Sequence, residues 1–457
     1  MIALKVKTTP WKHQDAMARA ALSRPATLLD CGMGTGKSLG AIATLATAGC
    51  RRSLVLCPKA VTGVWRREVA KHWADDCRPA VLVLDTLANS QAKAKAVAEA
   101  TAPVVVVCNY EAAWREPLAD VLLRSGWDAV LCDESHRIKA PAGKASKFVA
   151  KLGAKAPLRL ALTGTVMPHS PLDVFAQFRF LDPAVFGSSY TRFRARYAVA
   201  DRMYPSKVIK WINQDELAAK MAPLTFSCRS SDVLDLPELT LTDVPVTLGG
   251  KARTVYRDLE RDLVAEIDGE LITASNALAK LLRLQQVTSG RVGGVLVSTA
   301  KRDALADLLA DVPAGEPVVV FARFVADLDT AAEVAGKLGR EYGEVSGRRK
   351  DLTPHSTMPE GVGLMGVQIQ SGGAGIDLTR ASVAVYLSVG FSRGDYDQSV
   401  ARLHRPGQGR HVRVYHLIAE RTVDEAVYGA LAKRQELIQS VLKELQRGHR
   451  RETAAIG

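Results

Sequence analysis

The sequence predicts an α/β protein made of two parallel-sheet domains, and three observations predict it. The chain has 457 residues, more than one hydrophobic core usually organises, so two domains of roughly 200 residues each are expected. Short apolar, β-branched runs alternate with helix-compatible segments in the first half, and the pattern returns in the second. One run, Ala26-Thr27-Leu28-Leu29, leads through Cys31-Gly32-Met33-Gly34-Thr35-Gly36-Lys37-Ser38 into the helix-friendly Leu39-Gly40-Ala41-Ile42-Ala43. Strand, glycine-rich turn and helix is the context in which backbone N–H groups wrap a phosphate chain, with the helix dipole aimed at it.

Composition narrows the class. Hydrophobic residues make up 47% and charged residues 24%, values typical of a folded globular chain rather than a disordered one. The formal net charge of +13 favours a polyanionic partner such as nucleic acid. Seven cysteines occur, none paired as Cys-x-x-Cys and several inside apolar runs (Cys57, Cys108, Cys132), which reads as free thiols in a reducing compartment. No apolar run approaches the ~18 residues of a membrane span, and the first residues, Met1 to Lys7, carry no signal-like apolar stretch. The expected location is the cytoplasm, at the nucleoid or in a host cell.

Taken in order, residues 10–23 read as a helix opened by Pro10. Gln14 on that helix, shortly before the phosphate loop, is a candidate reader of adenine, because an amide both donates and accepts. In the loop, Gly34, Thr35 and Gly36 would cradle phosphate, Lys37 would reach the β- and γ-phosphates, and Ser38 would offer its hydroxyl to Mg²⁺. The usual pattern begins with a glycine where this chain has Cys31. The runs Leu54-Val55-Leu56, Val81-Leu82-Val83-Leu84, Val104-Val105-Val106-Val107 and Ala129-Val130-Leu131 then follow as strands, separated by helical segments such as 61–72 and 89–100. Strands apolar on both faces imply a parallel sheet covered on both sides, with ligands at the carboxyl ends. Immediately after Ala129-Val130-Leu131-Cys132 comes Asp133-Glu134-Ser135-His136. The first carboxylate there can hold Mg²⁺ and the second can activate water.

The loop around Lys37, the Asp133-Glu134-Ser135-His136 box and Leu162-Thr163-Gly164-Thr165 resemble motifs I, II and III of superfamily 2 helicase-like ATPases. In detail the chain is most similar to the Snf2 branch, whose motif I also lacks the first glycine. Leu56-Cys57-Pro58-Lys59 through Val64-Trp65-Arg66-Arg67-Glu68 is similar to that branch's motif Ia. The resemblance implies nucleic-acid contacts by Lys59, Arg66 and Arg67. It also implies that Thr163 and Thr165 couple the phosphate state to the nucleic-acid side, with His136 and Gln398 as further coupling residues. After motif III the family continues differently from Val166-Met167-Pro168-His169.

Residues 176–212 mix aromatics (Phe178, Phe180, Tyr190, Phe193, Tyr197) with arginines (Arg179, Arg192, Arg194, Arg196). This suits a nucleic-acid face or a helical subdomain with aromatics inside and arginines outside. The resemblance implies a helical protrusion there, and a second from Tyr256 to Gln286, where Leu259, Leu263, Ile267, Leu278, Leu281 and Leu282 are spaced helically. Arg229 to Pro237 resembles the crossover between the two motor domains. A second alternating series follows at 318–321, 367–369, 383–387 and 412–415, without a second Gly-Lys-Ser/Thr loop. Gln398 to Gln408 is similar to motif VI; Arg402 and Arg405, three apart, are expected on one helix face, where the resemblance implies that they neutralise the γ-phosphate. Ser371-Gly372-Gly373-Ala374-Gly375-Ile376-Asp377-Leu378 resembles motif V, with Gly375 and Asp377 toward the nucleotide. Thr422 to Leu445 reads as a closing amphipathic helix.

The resemblance spans nearly the whole chain. It implies two RecA-like domains with helical protrusions between motifs III and IV, binding ATP and Mg²⁺ between them. The first is expected over 1–230 with a helical insertion near 176–222. The second covers 231–446 with a protrusion near 251–290, and a basic tail occupies 447–457. The implied activity is an ATP-dependent translocase on double-stranded DNA: a minimal monomeric motor of phage or bacterial type, whose partner proteins the sequence does not name, replication or recombination factors being one option. Two rivals stand beside it. One is a strand-separating helicase on DNA or RNA, for which no segment reads as a pin. The other is a nucleotide-gated clamp with little turnover, which would not need Glu134 and both arginines.

Overall fold

The computed structural model describes residues 3–203, 208–269, 274–353, 356–370 and 375–433. They form two compact units that divide after Leu234. Ser371 to Ala374 of the second glycine loop, the side chains of Leu263, Ile267 and Leu278, and everything beyond 433, including the closing helix's end and the tail, lie outside the described residues.

The first unit is a seven-stranded sheet. Its strands are β1 (Ala26–Cys31), β2 (Arg52–Cys57), β3 (Ala80–Val83), β4 (Val104–Asn109), β5 (Ala129–Asp133) and β6 (Leu158–Thr163). A hairpin of β7 (Ala198–Ala200) and β8 (Val208–Trp211) lies outside the sheet, and β9 (Thr225–Cys228) completes it. The order is β3-β4-β2-β5-β6-β1-β9, and every pairing is parallel. The strands are apolar on both sides because both faces are covered. Leu54, Leu56, Val106, Val130 and Ala161 pack on one face, and Val55, Val105, Val107, Leu131 and Leu160 on the other.

Three helices frame the site: α1 (Lys12–Leu22), α2 (Lys37–Thr47) and α3 (Thr62–His72). On α3 the buried residues Thr62, Trp65, Val69 and His72 recur at helical spacing, which leaves Arg66 and Arg67 outward. In the 176–212 interval the aromatics turn inward. Phe175, Phe178, Phe186, Phe193 and Tyr197 stack edge-on or tilted against one another, while Arg192 and Arg196 are exposed and Arg196 pairs with Glu216.

The second unit contains β10 (Leu239–Val246), a short pair β11 (Arg291–Val292) and β12 (Val295–Leu296), then β13 (Val318–Ala322), β14 (Tyr342–Val345), β15 (Leu364–Gln368), β16 (Val383–Tyr386) and β17 (Val412–Ala419). Its main sheet is also parallel throughout, in the order β10-β17-β16-β13-β15-β14. Two helices, Gly250–Gly269 and Ala274–Ser289, precede β11. Two α/β sheets of this kind, each built on its own covered core, are the RecA-like pair.

Candidate active site

Parallel pairing brings four carboxyl ends together in the first unit. Strands β5, β6, β1 and β9 are consecutive neighbours. They end in Asp133-Glu134, Thr163-Gly164-Thr165, the phosphate loop, and Cys228 to Ser230 respectively.

The loop turns through two left-handed glycines, Gly34 and Gly36, both with φ of 77°. Gly36 is doubly required, because a Cβ there would lie 2.2 Å from the Gln14 amide nitrogen. Lys37 donates to the Cys31 carbonyl at 2.8 Å and the Gly32 carbonyl at 3.1 Å. Thr35 is fully buried and donates its hydroxyl to the Gly32 carbonyl at 2.8 Å. The Gln14 amide donates to the Thr35 carbonyl at 3.0 Å and accepts from the Trp11 N–H at 2.9 Å. Gln14 therefore ties α1 to the loop, a role its sequence position did not reveal. Ser230 closes the other side. Its hydroxyl donates to the Met33 carbonyl at 2.7 Å, and the Gly32 N–H donates to the Cys228 carbonyl at 2.8 Å. Sequence reasoning passed over Ser230, since only the β1–β9 pairing brings it to the loop.

Asp133 ends β5 in desolvated surroundings. Its Oδ1 accepts from the Glu134 N–H at 3.0 Å, and its Oδ2 accepts from the buried Trp65 indole at 3.0 Å. Burial, reinforced by the Glu134 charge, pushes the Asp133 carboxyl up to about 6 against the pull of Trp65 and Lys37. Asp30, one residue before the end of β1, is likewise pushed up to about 6 by burial, with Lys37 opposing. Glu134 adopts a left-handed backbone, φ 51°, a strained choice for a residue with a Cβ and one that concentrates at functional positions.

Beyond the carboxylates runs a polar chain. His136 Nδ1 lies 3.3 Å from Glu134 Oε2 and 3.2 Å from the Thr163 hydroxyl. That hydroxyl accepts from the Thr165 N–H at 3.0 Å. Ser135 donates to Gln177 at 2.7 Å, and the Gln177 amide reaches the Val166 carbonyl at 2.7 Å. Thr163 is fully buried, and its hydroxyl lies between His136 of the acidic box and the Thr165 N–H. Thr165 is half-buried. Of the other candidates in this unit, Lys59, Arg66 and Arg67 are exposed.

In the second unit, Arg402 and Arg405 do not share a helix. The helix Arg393–Val400, which carries Gln398, ends before them. Turns follow, with the Arg402 and Leu403 amides bonded to the Ser399 and Val400 carbonyls. Pro406 disfavours helix at the residue before it, and Gly407 takes φ of 100°. Leu403 is buried between the two half-buried arginines. Gln408 anchors the turn by donating to the Thr379, Ala381 and Leu403 carbonyls. His404 bonds the Pro237 carbonyl at 2.8 Å. Gly375 has φ of 85°, and Asp377 accepts from the Thr379 N–H and hydroxyl at 2.9 and 2.7 Å.

The Ser38 hydroxyl and the Asp133 carboxylate are both oxygen donors, the chemistry that suits a hard cation such as Mg²⁺. The two carboxyls held near 6 are groups that a cation would return to the charged form. Among the described residues no group of three or more His, Cys, Asp and Glu side chains is placed to hold a metal, so a cation here would complete its shell with phosphate oxygens and water.

Comparison with known proteins identifies the family. A family model described as the SNF2-related domain matches residues 15–290, more than half of the chain. An uncharacterized ATP-dependent helicase of Mycoplasma pneumoniae is 25% identical over 430 residues, covering 90% of this chain and 40% of that protein. The protein p41 of Acyrthosiphon pisum secondary endosymbiont phage 1 is 26% identical over 455 residues, covering 92% and 95%. A solved Sulfolobus solfataricus SWI2/SNF2 ATPase core in complex with dsDNA is 23% identical, covers 98% of this chain and 97% of its own, and superposes with a TM-score of 0.45. With a family match running from the helix before the phosphate loop past the acidic box and motif III, the chain belongs to the SNF2-related family.

Proposed function

We propose that the chain is a DNA-dependent ATPase that uses Mg-ATP hydrolysis to move along double-stranded DNA. One observation carries the reading. Neighbouring strands of a single sheet present Lys37-Ser38, Asp133-Glu134 and Thr163 to Thr165 at its carboxyl end, with His136 3.3 Å from Glu134 and 3.2 Å from Thr163. In this reading Gly34, Thr35, Gly36 and Lys37 hold the phosphates and Gln14 meets the adenine edge. Glu134 takes the proton of the attacking water. Bound at Ser38 and Asp133, Mg²⁺ would screen the phosphate charge. Arg402 and Arg405 stabilise the charge that develops on the γ-phosphate, an effect worth 10³–10⁵ in related chemistry. Gly375, Asp377 and Gln398 answer to the nucleotide state from the second unit. The net charge of +13 and the exposed Lys59, Arg66 and Arg67 support a polyanionic track. The motor domains are assigned to 1–230 and 231–446.

The test is steady-state ATP hydrolysis with no nucleic acid, duplex DNA, single-stranded DNA and RNA, each at two salt concentrations. Stimulation by duplex that weakens with salt is the expected result, because phosphate contacts release counterions. Lys37→Ala should lower turnover about a hundredfold or more, as loss of a preorganised charge donor does. Undiminished hydrolysis in that variant would sink the assignment.

A second reading, strand separation, is favoured by the β7–β8 hairpin. Its inner face packs Ala198, Val208 and Trp211 against the core. Its outer side leaves Met203 81% and Ile209 59% exposed beside Lys210, and apolar wedges of this kind part base steps. Release of a labelled strand from a forked duplex, lost in Met203→Asp with Ile209→Asp, would establish it; no release by the unaltered protein would eliminate it.

A further inference from the structure

Strand register singles out one cysteine pair. All seven cysteines are free thiols. Cys57 and Cys108 are on adjacent strands but on opposite faces of the sheet. Cys108 and Cys132 share a face, yet both are register partners of Leu56 from opposite sides, so a whole strand separates them, about 9.6 Å at the usual spacing and too far for a disulfide. Cys31 and Cys228 alone are direct partners, the last residues of β1 and β9, and both face the same apolar layer. Paired strands lie ~4.8 Å apart, inside the range of ~4.4–6.8 Å that a disulfide spans between Cα atoms.

The pair stands at the base of the phosphate loop. The Cys31 carbonyl accepts from Lys37, and the Cys228 carbonyl accepts from the Gly32 N–H. We infer that Cys31 and Cys228 form a reversible disulfide under oxidation by a hydroperoxide, and that this bond switches off nucleotide binding at the loop. The inference rests on the reading of the Lys37 loop as the ATP site only for its second half.

The two thiols are unequal, which assigns their roles. Hydrogen bonding from Cys31, together with the Lys37 charge, pulls the Cys228 thiol below its ordinary value, while burial pushes Cys31 well above. Cys228 is also the one that keeps some exposure, so it is the attacking thiolate. Cys228 sulfur attacks one oxygen of the peroxide. The O–O bond breaks, sulfur is oxidised by two electrons to a sulfenic acid, and the other oxygen departs, protonated, as water or an alcohol. The Cys31 thiol then attacks that sulfur. The S–S bond forms, the S–O bond breaks, and the oxygen leaves as water with the Cys31 proton. A thiol reductant reverses the reaction by exchange. The cross-link fixes the first residues of the loop to β9 in the arrangement where Lys37 is occupied by the loop's own carbonyls.

The test treats the full chain with hydrogen peroxide, blocks remaining thiols, and maps peptides without reduction. A linked peptide pair carrying Cys31 and Cys228, short of two hydrogens, is expected, together with loss of binding of a fluorescent ATP analogue and recovery of binding with dithiothreitol. Cys31→Ser and Cys228→Ser should each form no link and keep analogue binding after peroxide, with Cys31→Ala as the substitute if the serine unfolds the sheet; Cys77→Ser should behave as the parent. Oxidation confined to the exposed Cys77, with Cys31 and Cys228 still blocked as free thiols, overturns the pairing. A link that leaves analogue binding intact overturns the switch. If reduced protein fails to bind the analogue, the ATP-site reading falls, while the mass measurement still decides the disulfide.

Discussion

Trp65→Phe removes one hydrogen-bond donor from the acidic box while keeping an aromatic ring in the same buried slot. In the parent, the indole N–H of Trp65, itself 2% exposed, donates to Asp133 Oδ2 at 3.0 Å. A hydrogen bond to a charged acceptor contributes about 1.5–3 kcal/mol, equivalent to about one to two pH units of carboxyl affinity for a proton. Asp133 already stands at about 6 because burial and Glu134 outweigh Trp65 and Lys37. Without the indole, its carboxyl moves to about 7 or above. The chemistry needs the carboxylate, so the acidic limb of the pH–rate profile should rise with it. At pH 7 the variant is expected to lose roughly two- to tenfold in kcat/KM, to require more Mg²⁺ for half-maximal rate, and to recover most of the loss by pH 9. The assay is steady-state hydrolysis across pH and Mg²⁺ concentration, with thermal melts confirming the fold. An acidic limb at the parent's pH, with the loss of rate equal at every pH, would refute the reasoning, because the indole would then be packing and nothing more.

Ser230→Ala removes the 2.7 Å bond to the Met33 carbonyl, a net contribution of about 1 kcal/mol. The expected reading is a several-fold rise in KM for ATP with kcat nearly unchanged; a fall in kcat alone would deny it a part in holding the loop. Thr163→Val deletes the hydroxyl between His136 and Thr165 but no exposed surface. Binding of nucleotide-free protein to a labelled duplex should be unchanged, while DNA stimulation of hydrolysis drops about tenfold, the size of a typical coupling free energy; weakened DNA binding would make Thr163 part of the binding surface and refute the coupling role. Asp327, buried in the second unit, is pushed up to about 6 by burial, above its ordinary 3.8. The folded state thus holds this proton more tightly than the unfolded chain, so the group favours folding below about pH 4 and that contribution, about 3 kcal/mol, is lost as pH rises through 6. Asp327→Asn should therefore flatten the fall in melting temperature of the second unit between about pH 4 and pH 6, and an identical slope in both proteins would contradict the assignment.

The phosphate loop and the acidic box were legible because their chemistry is contiguous in sequence and follows an apolar run. A reader needs only the rule that parallel sheets work at their carboxyl ends to find Lys37 and Asp133. What sequence did not disclose is which strands stand side by side. Thr225–Cys228 is four residues of mixed polarity and carried no strand signal, yet it flanks β1 and thereby delivers Ser230 and Cys228 to the loop. Leu239–Val246 contains Pro245, which argues against a central strand; it is tolerated because β10 is an edge. The arginine pair shows the opposite failure. A three-residue spacing reads as one helix face, but the helix ends at Val400, Pro406 keeps Arg405 out of helix, and what sets the two arginines is the buried Leu403 between them and the Gln408 anchor beyond.

The same logic explains where the candidate residues lie. Register places Asp133 beside Leu162 and Thr163 beside Asp30, so the acidic box, the motif III threonine and the end of β1 meet inside the sheet edge rather than on its surface. A group at that depth has no water to satisfy it, and each polar atom must find a protein partner. Thr163 finds His136 and Thr165; Gln177, far along the chain and unremarkable in sequence, is fully buried and finds Ser135 and Val166. These bonds join His136 and Ser135 of the box to the loop after β6, and Glu134 lies 3.3 Å from the His136 ring. On the proposed reading the phosphate state would pass along these buried groups, while Lys59, Arg66 and Arg67, which are exposed, would meet the nucleic acid.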